Sequence, residues 1–233
     1  NPVQIAEELA TLDVITNGRL IAGFGRGYRE EEFQAFGIPE GGRLGRFLEA
    51  LEIVKRLWAG EPVTFEGKYF QLRDATIGIK PLQQPGPKII LAASGDKMVV
   101  RAATLADGWT AVGHSTLDIL AKQVSPYQQA LAAAGKPFPP PHYRIALETY
   151  VARTMEEARK LAWPHVARKY AGYASWGQDE ELPEGQTFAL PIEELEAGRF
   201  NIGDVATVTE RILQYRDTLQ VSEMGVRLLW GGM

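Results

Sequence analysis

The stretch Asn17-Gly-Arg-Leu-Ile-Ala-Gly-Phe-Gly-Arg-Gly-Tyr28, with Glu30-Glu-Glu-Phe-Gln-Ala-Phe-Gly37 behind it, decides what kind of chain this is. Asn17-Gly18 is a turn signal, and Gly18 can take the positive φ that ends a preceding helix. Arg19 to Phe24 is mostly apolar and too short for a helix, so it reads as a strand. Gly23, Gly25 and Gly27 alternate where that strand ends. Glycines there let a ligand approach the backbone and leave N–H groups to face an anion. Arg26, set among them, carries a fixed charge with a forked donor geometry suited to phosphate. A helix beginning near Tyr28 would aim its positive end at the same point. A dinucleotide fingerprint, Gly-x-Gly-x-x-Gly, is ruled out, because its last position falls on Tyr28 or Glu30. A plain strand-to-helix turn with Arg26 as a solvated charge is not ruled out by spacing alone.

Outward from this stretch, helices and strands alternate. Upstream, Pro2 suits a first helical turn, and Val3, Ala6, Leu9, Ala10 and Leu12 mark an apolar helical face. Downstream, a helix from about Arg43 to Ala59 carries Leu44, Phe47, Leu48, Leu51, Val54 and Trp58, and Gly60 stops it. Residues 61–87 form a proline-punctuated loop insertion with a small hairpin around Gly67-Lys-Tyr-Phe70. Lys88–Ala93 is a continuous apolar strand of the kind buried on both faces of a parallel sheet. Ser94 or Asp96 is expected to cap the helix behind it. A strand starts at Asp107-Gly108-Trp109, and Thr116 caps the next helix. Tyr143–Ala152 is a further strand, and Thr154-x-x-Glu157 is a capping box opening a helix that Pro164 should kink or divide. Residues 172–203, rich in Gly, Pro and charge and including Gly185, read as an irregular surface insertion. Asp204 caps a last helix, Met224–Trp230 is a fifth strand, and the chain ends at Gly231-Gly-Met233. The alternation predicts an α/β fold with a parallel sheet. Five strands suit an open sheet; a barrel of this type needs eight.

Composition excludes several classes. The chain has 233 residues, 45% hydrophobic and 23% charged, as soluble globular proteins do. A net charge of −4 favours neither nucleic acid nor an acidic membrane surface as a partner. There is no cysteine, so disulfides, thiolate metal sites and a cysteine nucleophile are excluded, and a reducing cytoplasm is the compartment that fits. No apolar run reaches the roughly 20 residues of a membrane span.

Several motifs in one order carry a resemblance. They are Asn1-Pro-Val-x-x-Ala-Glu-Glu-Leu-Ala-Thr-Leu-Asp13, Gly18-Arg-Leu-Ile-x-Gly-x-Gly-Arg-Gly27 and Glu31-Glu-Phe-x-x-Phe-Gly37. Phe65-Glu-Gly-Lys-Tyr-Phe70, Lys80-Pro-Leu-Gln-x-Pro85 and Ala102-Ala-x-x-Ala-Asp-Gly-Trp109 continue it. Together they resemble the bacterial luciferase-like flavin monooxygenase superfamily. The resemblance implies an eight-stranded (β/α) TIM-type barrel. Residues 1–233 would form one partial barrel domain, with roughly the first three strand–helix units missing. It also implies that Arg26, Gly27 and Tyr28 hold a flavin phosphate, with Ser94 and Gly95 completing the cradle. Lys97 stands where some members have a hydroxyl residue. The implied chemistry is oxygenation of a small organic substrate by reduced FMN and oxygen. A deazaflavin branch would transfer hydride instead, and a flavin-binding member without turnover is a third reading. The resemblance admits a flavin reductase and a second copy of the chain as protein partners.

No catalytic residue is assigned by the sequence. His114 falls just past a strand's C-terminal end, where barrel enzymes keep functional groups, and a structural role competes with a catalytic one. His142 and His165 have no partner at metal-ligand spacing, so no metal is expected. Glu30, Glu31 and Glu32 suit the first turn of a helix through the dipole, which makes a catalytic role unnecessary. Trp109 and Trp230 are candidates either for a pocket wall or for the core.

Overall fold

The computed structural model describes residues 1–39, 41–183, 186–228 and 230. The chain forms two compact units, residues 1–90 and 91–233.

The first unit opens with α1, Pro2–Ile15, capped by the Asn1 side chain on the Val3 N–H. Its buried stripe is Pro2, Ala6, Ala10 and Asp13, while Leu12 is exposed, so the inward face is rotated from the expected one. Small residues on that stripe let α3, Arg43–Ala59, pack closely, and Trp58 of α3 donates its indole N–H to the Ala6 carbonyl at 2.9 Å. Between them lie β1, Ile21–Phe24, and a short α2, Glu30–Ala35. The acidic first turn of α2 is held by ion pairs, Glu30 with Arg43 and Glu32 with Arg29. These pairs give Glu30 and Glu32 a structural use, and all three acidic residues stand in the first turn, as the dipole reading expects. The expected hairpin is present as β2, Val63–Glu66, and β3, Gln71–Ala75, paired antiparallel. Its tip is tied to α3, where the Glu49 carboxylate accepts the backbone N–H groups of Lys68, Tyr69 and Phe70. The rest of the 61–87 segment is anchored by Gln83, whose side-chain amide donates to Asp13 and to the Leu20 carbonyl at 2.7 Å each.

β4, Lys88–Ala93, leads along the chain into the second unit. There α4 (Asp96–Leu105), β5 (Gly108–Val112), α5 (Leu117–Ala133), β6 (Arg144–Ala152) and α6 (Met155–Ser175) alternate. β5 pairs parallel with β6 in the register Val112↔Ala146. α6 is one continuous helix; Pro164 neither divides it nor ends it, because buried Ala158, Ala162, Val166 and Tyr170 hold both halves in one core. Residues 172–203 hold more regular structure than expected. A 3-10 turn spans Gln178–Glu181, α7 spans Ile192–Glu196, and β7, Asn201–Asp204, pairs parallel with the end of β6. Asp204 caps α8, Val205–Leu219, through the Thr207 N–H, as expected. β8, Glu223–Arg227, pairs parallel with the first half of β6, placing Arg227 opposite Glu148. The sequence placed that strand at Met224–Trp230; Leu229 within it, like Gly185 and Gly231–Met233, lies outside the described residues.

Candidate functional site

In the first unit, Arg26 lies beyond the end of β1 and lines two adjoining spaces. One is a cavity of about 250 Å³ with apolar walls that include Phe24, Phe33, Phe47 and Leu51, and with Arg43 and Arg46 also on its lining. The other is an open cleft of about 650 Å³ bordered by Arg26, Glu30, Arg43 and the glycines Gly41, Gly42 and Gly45. The first half of α3 explains the cavity. Leu44, Phe47 and Leu48, expected in the core, are only half-buried, with Phe47 on the cavity and Leu44 on the cleft, whereas Leu51, Val54 and Trp58 are buried.

Gly42 is the N-cap of α3, with φ +67° and no side-chain cap. A 17-residue helix thus begins at the cleft with backbone donors not capped by any side chain. The glycines are required by packing. A Cβ at Gly42 would come within 2.4 Å of the Tyr69 hydroxyl, and one at Gly45 within 2.6 Å of the same ring. Gly27, at φ +73°, would meet Phe33 at 2.9 Å. The Arg46 guanidinium lies 4.9 Å from the Tyr69 ring centroid, and its Nε is buried with no hydrogen-bond partner among the described residues. Arg43 sits 4.7 Å from the Phe33 ring centroid while pairing with Glu30. Burial, reinforced by the Glu32 carboxylate, raises the Tyr28 phenol above its ordinary value. Three arginines, a glycine-capped helix start and an orphaned N–H suit a phosphate attached to an apolar body. A volume of 250 Å³ is below the size of most whole-ligand pockets and matches a phosphate with part of its chain. Of the sequence candidates, Arg26 reaches this site, and Gly27 and Tyr28 follow it directly. Arg43 and Arg46 were missed; the signal was the Gly41-Gly42-Arg43 run opening a helix.

Ser94, Gly95 and Lys97 belong to the second unit. Neither Ser94 nor Asp96 caps α4; its N-cap is Gly95, without a side-chain hydrogen bond. The Asp96 carboxylate is engaged instead by α5, whose Gln123 amide donates to it at 2.8 Å and to the Ser94 carbonyl at 2.7 Å. Lys97 is exposed in the first turn of α4.

The second unit also carries a buried polar cluster where the middle of β6 meets the C-terminal end of β8. Glu148 of β6, 2% exposed, accepts from Lys169 and from the Trp230 indole, and from Arg227 at 2.6 Å. Burial alone would raise the Glu148 carboxyl, but these hydrogen bonds hold it below its ordinary value. His114 lies among the rings of Tyr170, Tyr173 and Phe188, with Nδ1 3.2 Å from Gln178. Burial first, then the Lys169 ammonium, pushes the His114 imidazole down to about 4, so it is neutral near pH 7. Trp109 proves to be core: fully buried, stacked on Tyr143 at 5.3 Å and bonded to the Ala93 carbonyl. His142 faces Glu223 at 3.4 Å, and the described residues contain no group of three or more potential metal ligands.

Comparison with known proteins agrees with this architecture. The family model described as luciferase-like monooxygenase matches residues 1–220. The F420-dependent glucose-6-phosphate dehydrogenase of Kineococcus radiotolerans is 37% identical over 140 residues, which cover 58% of this chain and 41% of that protein. The phthiodiolone/phenolphthiodiolone dimycocerosates ketoreductase of Mycobacterium bovis is 34% identical over 135 residues, covering 57% and 33%. These matches span less than half the length of either relative. Among solved structures, the monooxygenase RslO1 from Streptomyces bottropensis superposes with a TM-score of 0.83 at 27% identity, over 100% of this chain and 68% of that one. The described part of the second unit, parallel strands alternating with helices, is the α/β architecture of the TIM-type barrels in this group. With its model matched over nearly the whole sequence, the chain belongs to the luciferase-like monooxygenase family.

Proposed function

We propose that the protein is a cytoplasmic flavin-dependent monooxygenase that uses reduced FMN and oxygen to oxygenate a small organic substrate. The observation that carries the reading is the pair Arg26 and Arg43 on one cavity beside the glycine-capped start of α3. A terminal phosphomonoester is a dianion, and two guanidinium forks with free helix-end donors match it. Bound there, the flavin would supply the electrons and the oxygen activation that no amino acid side chain provides. The chain's own residues would do the rest. Arg26 and Arg43 bind the phosphate, Gly27 and Tyr28 shape the backbone beside it, and the Phe24, Phe33 and Phe47 walls keep water from the adjoining chain. Ser94, Gly95 and Lys97 are the second set of candidates for phosphate binding. A flavin reductase would deliver the reduced cofactor. The 27% identity to the monooxygenase RslO1, over 68% of that chain, also supports this reading. Hydride transfer with a deazaflavin is the second reading, supported by the 37% identity to a protein named as F420-dependent.

Titration with FMN, riboflavin and a deazaflavin tests the assignment, followed by oxygen uptake with each reduced cofactor. Losing one charge-assisted contact costs about 1.5–3 kcal/mol, so Arg26→Ala should weaken FMN binding about 10- to 150-fold and leave riboflavin nearly unchanged. Equal losses for both ligands would remove the phosphate role. Deazaflavin-only binding, with turnover indifferent to oxygen, would establish the second reading. Single substitutions at Ser94 and Lys97 enter the same assay.

A further inference from the structure

We propose that the Glu148–Arg227 rung, at the middle of β6 and the C-terminal end of β8, holds a subsite for a substrate carboxylate, with Arg227 as the group that meets it. Only the word substrate rests on the enzymatic reading above; the anion site rests on the second unit's own geometry. Side chains alternate along β6, so Arg144, Ala146 and Glu148 share one face. In register with them, β8 presents Glu223, Gly225 and Arg227. The middle rung, Ala146 with Gly225, has almost no side chain, and Ala146 is exposed. The Glu148–Arg227 rung is thus bordered by a rung of small residues that leaves room beside it.

The charges around that rung do not balance. Glu148 is one carboxylate facing two cations, Lys169 and Arg227. Arg199, 5% exposed, adds a third cation, whose partners among the described residues are the His114 and Leu195 carbonyls and the Gln186 amide oxygen. Among the described residues no second carboxylate lies in ion-pair range of Lys169, Arg227 or Arg199. Buried cations in excess of their carboxylates are costly, and a ligand anion relieves that cost. Arg227 is the member positioned to meet one. Its side chain is 44% exposed, against 18% for Lys169, and it gives only NH1 to Glu148. Its remaining N–H groups form the planar fork that a carboxylate accepts bidentately. Glu148 and Lys169 are positioning residues: the carboxylate fixes the guanidinium, and the ammonium, seated 5.3 Å from the Tyr173 ring centroid, backs it with charge. Neutral His114 adds no competing charge of its own and reports on the site, since it feels all of these groups.

Benzoate, benzenesulfonate, inorganic phosphate and the neutral benzamide are the probes, titrated into the full-length protein with and without FMN. Trp230 fluorescence and the NMR signal of His114 are the readouts. Benzoate should bind at least about tenfold tighter than benzamide, and Arg227→Gln should weaken benzoate by about tenfold or more. Arg227→Lys should retain part of the affinity, and neither variant should alter FMN affinity. Saturating benzoate should raise the His114 titration from about 4, because it offsets the Lys169, Arg227 and Arg199 charges while Glu148, Tyr170 and Tyr173 stay in place. Equal binding of benzoate and benzamide overturns the proposal, as does no binding of any anion or an Arg227→Gln variant with unchanged benzoate affinity. Selective binding of phosphate or benzenesulfonate over benzoate overturns the carboxylate assignment. Should Arg227→Gln fail to fold, an unmoved His114 titration in the wild-type protein under benzoate decides against it. Loss of FMN selectivity with benzoate binding intact would sink the flavin reading and leave this one standing.

Discussion

Replacing Glu148 by Gln tests how the second unit's polar cluster is held. The substitution keeps shape and one acceptor oxygen for the Trp230 indole, and it removes the only carboxylate among the described residues that faces Lys169 and Arg227. Breaking one side of a buried ion pair costs about 3–5 kcal/mol. Arg227 is 44% exposed and can regain water, so its share is small; Lys169, at 18%, is the group left stranded. The loss should therefore fall near the lower end, about 3 kcal/mol. For a chain of this length that lowers Tm by roughly 6–12 °C. Calorimetry at pH 7 of wild type, Glu148→Gln and Lys169→Met separates the contributions. Lys169→Met leaves Glu148 paired with Arg227, charge for charge, and should cost less than half as much. The pH dependence has a fixed sign. The Glu148 carboxyl is lowered in the folded state from 4.5, so its stabilisation is present above that value and is lost as pH falls through the folded one. The gap between wild type and Glu148→Gln should close in acid. A Glu148→Gln protein within about 0.5 kcal/mol of wild type at pH 7, or less stable than it only in acid, would refute the reasoning.

Three further outcomes follow from single sites. His114 titrates at about 4 when folded against 6.5 ordinarily, so the unfolded chain binds the extra proton first. Stability should fall as pH drops from about 6.5 to about 4, and His114→Asn should flatten that slope in urea titrations read at several pH values. Glu30→Gln releases Arg43 from its ion pair; a partly exposed pair is worth up to about 1 kcal/mol, so FMN affinity should rise by up to about fivefold in a fluorescence titration. Gly42→Ala forces a side chain into φ +67° and against Tyr69, and should cost at least about 1 kcal/mol by denaturant melting, part of it recovered in the Gly42→Ala, Tyr69→Ala double variant.

The elements that were legible are those whose own pattern agrees with their environment. The apolar rhythm of Arg43–Ala59 with Gly60 behind it, and the unbroken run Lys88–Ala93, gave helix and strand with the observed bounds. β7 was not legible: Asn201-Ile-Gly-Asp204 has one large apolar residue and takes its strand form from pairing with Thr149–Ala152. α6 overrode Pro164 because its buried stripe is continuous on both sides of the proline. At the proposed phosphate site Arg26 was legible from the glycines around it, while Arg43 looked like an ordinary helix-start residue until α3 brought it to the same cavity. Glu148, Lys169 and Arg227 stand in sequence as scattered charges, and only the β6–β8 register together with α6 joins them. Asp96 does not serve as a cap because its carboxylate accepts from Gln123, a residue 27 positions away that no local pattern connects to it.

The measurement that bears most directly on the phosphate site is a crystal structure of the full-length protein with FMN. Phosphate oxygens should lie within about 3 Å of guanidinium nitrogens from both Arg26 and Arg43, with the first N–H groups of α3 directed at them. A phosphate bound elsewhere, with Arg43 still paired to Glu30 and the cavity beside Arg26 holding only water, would contradict this site assignment.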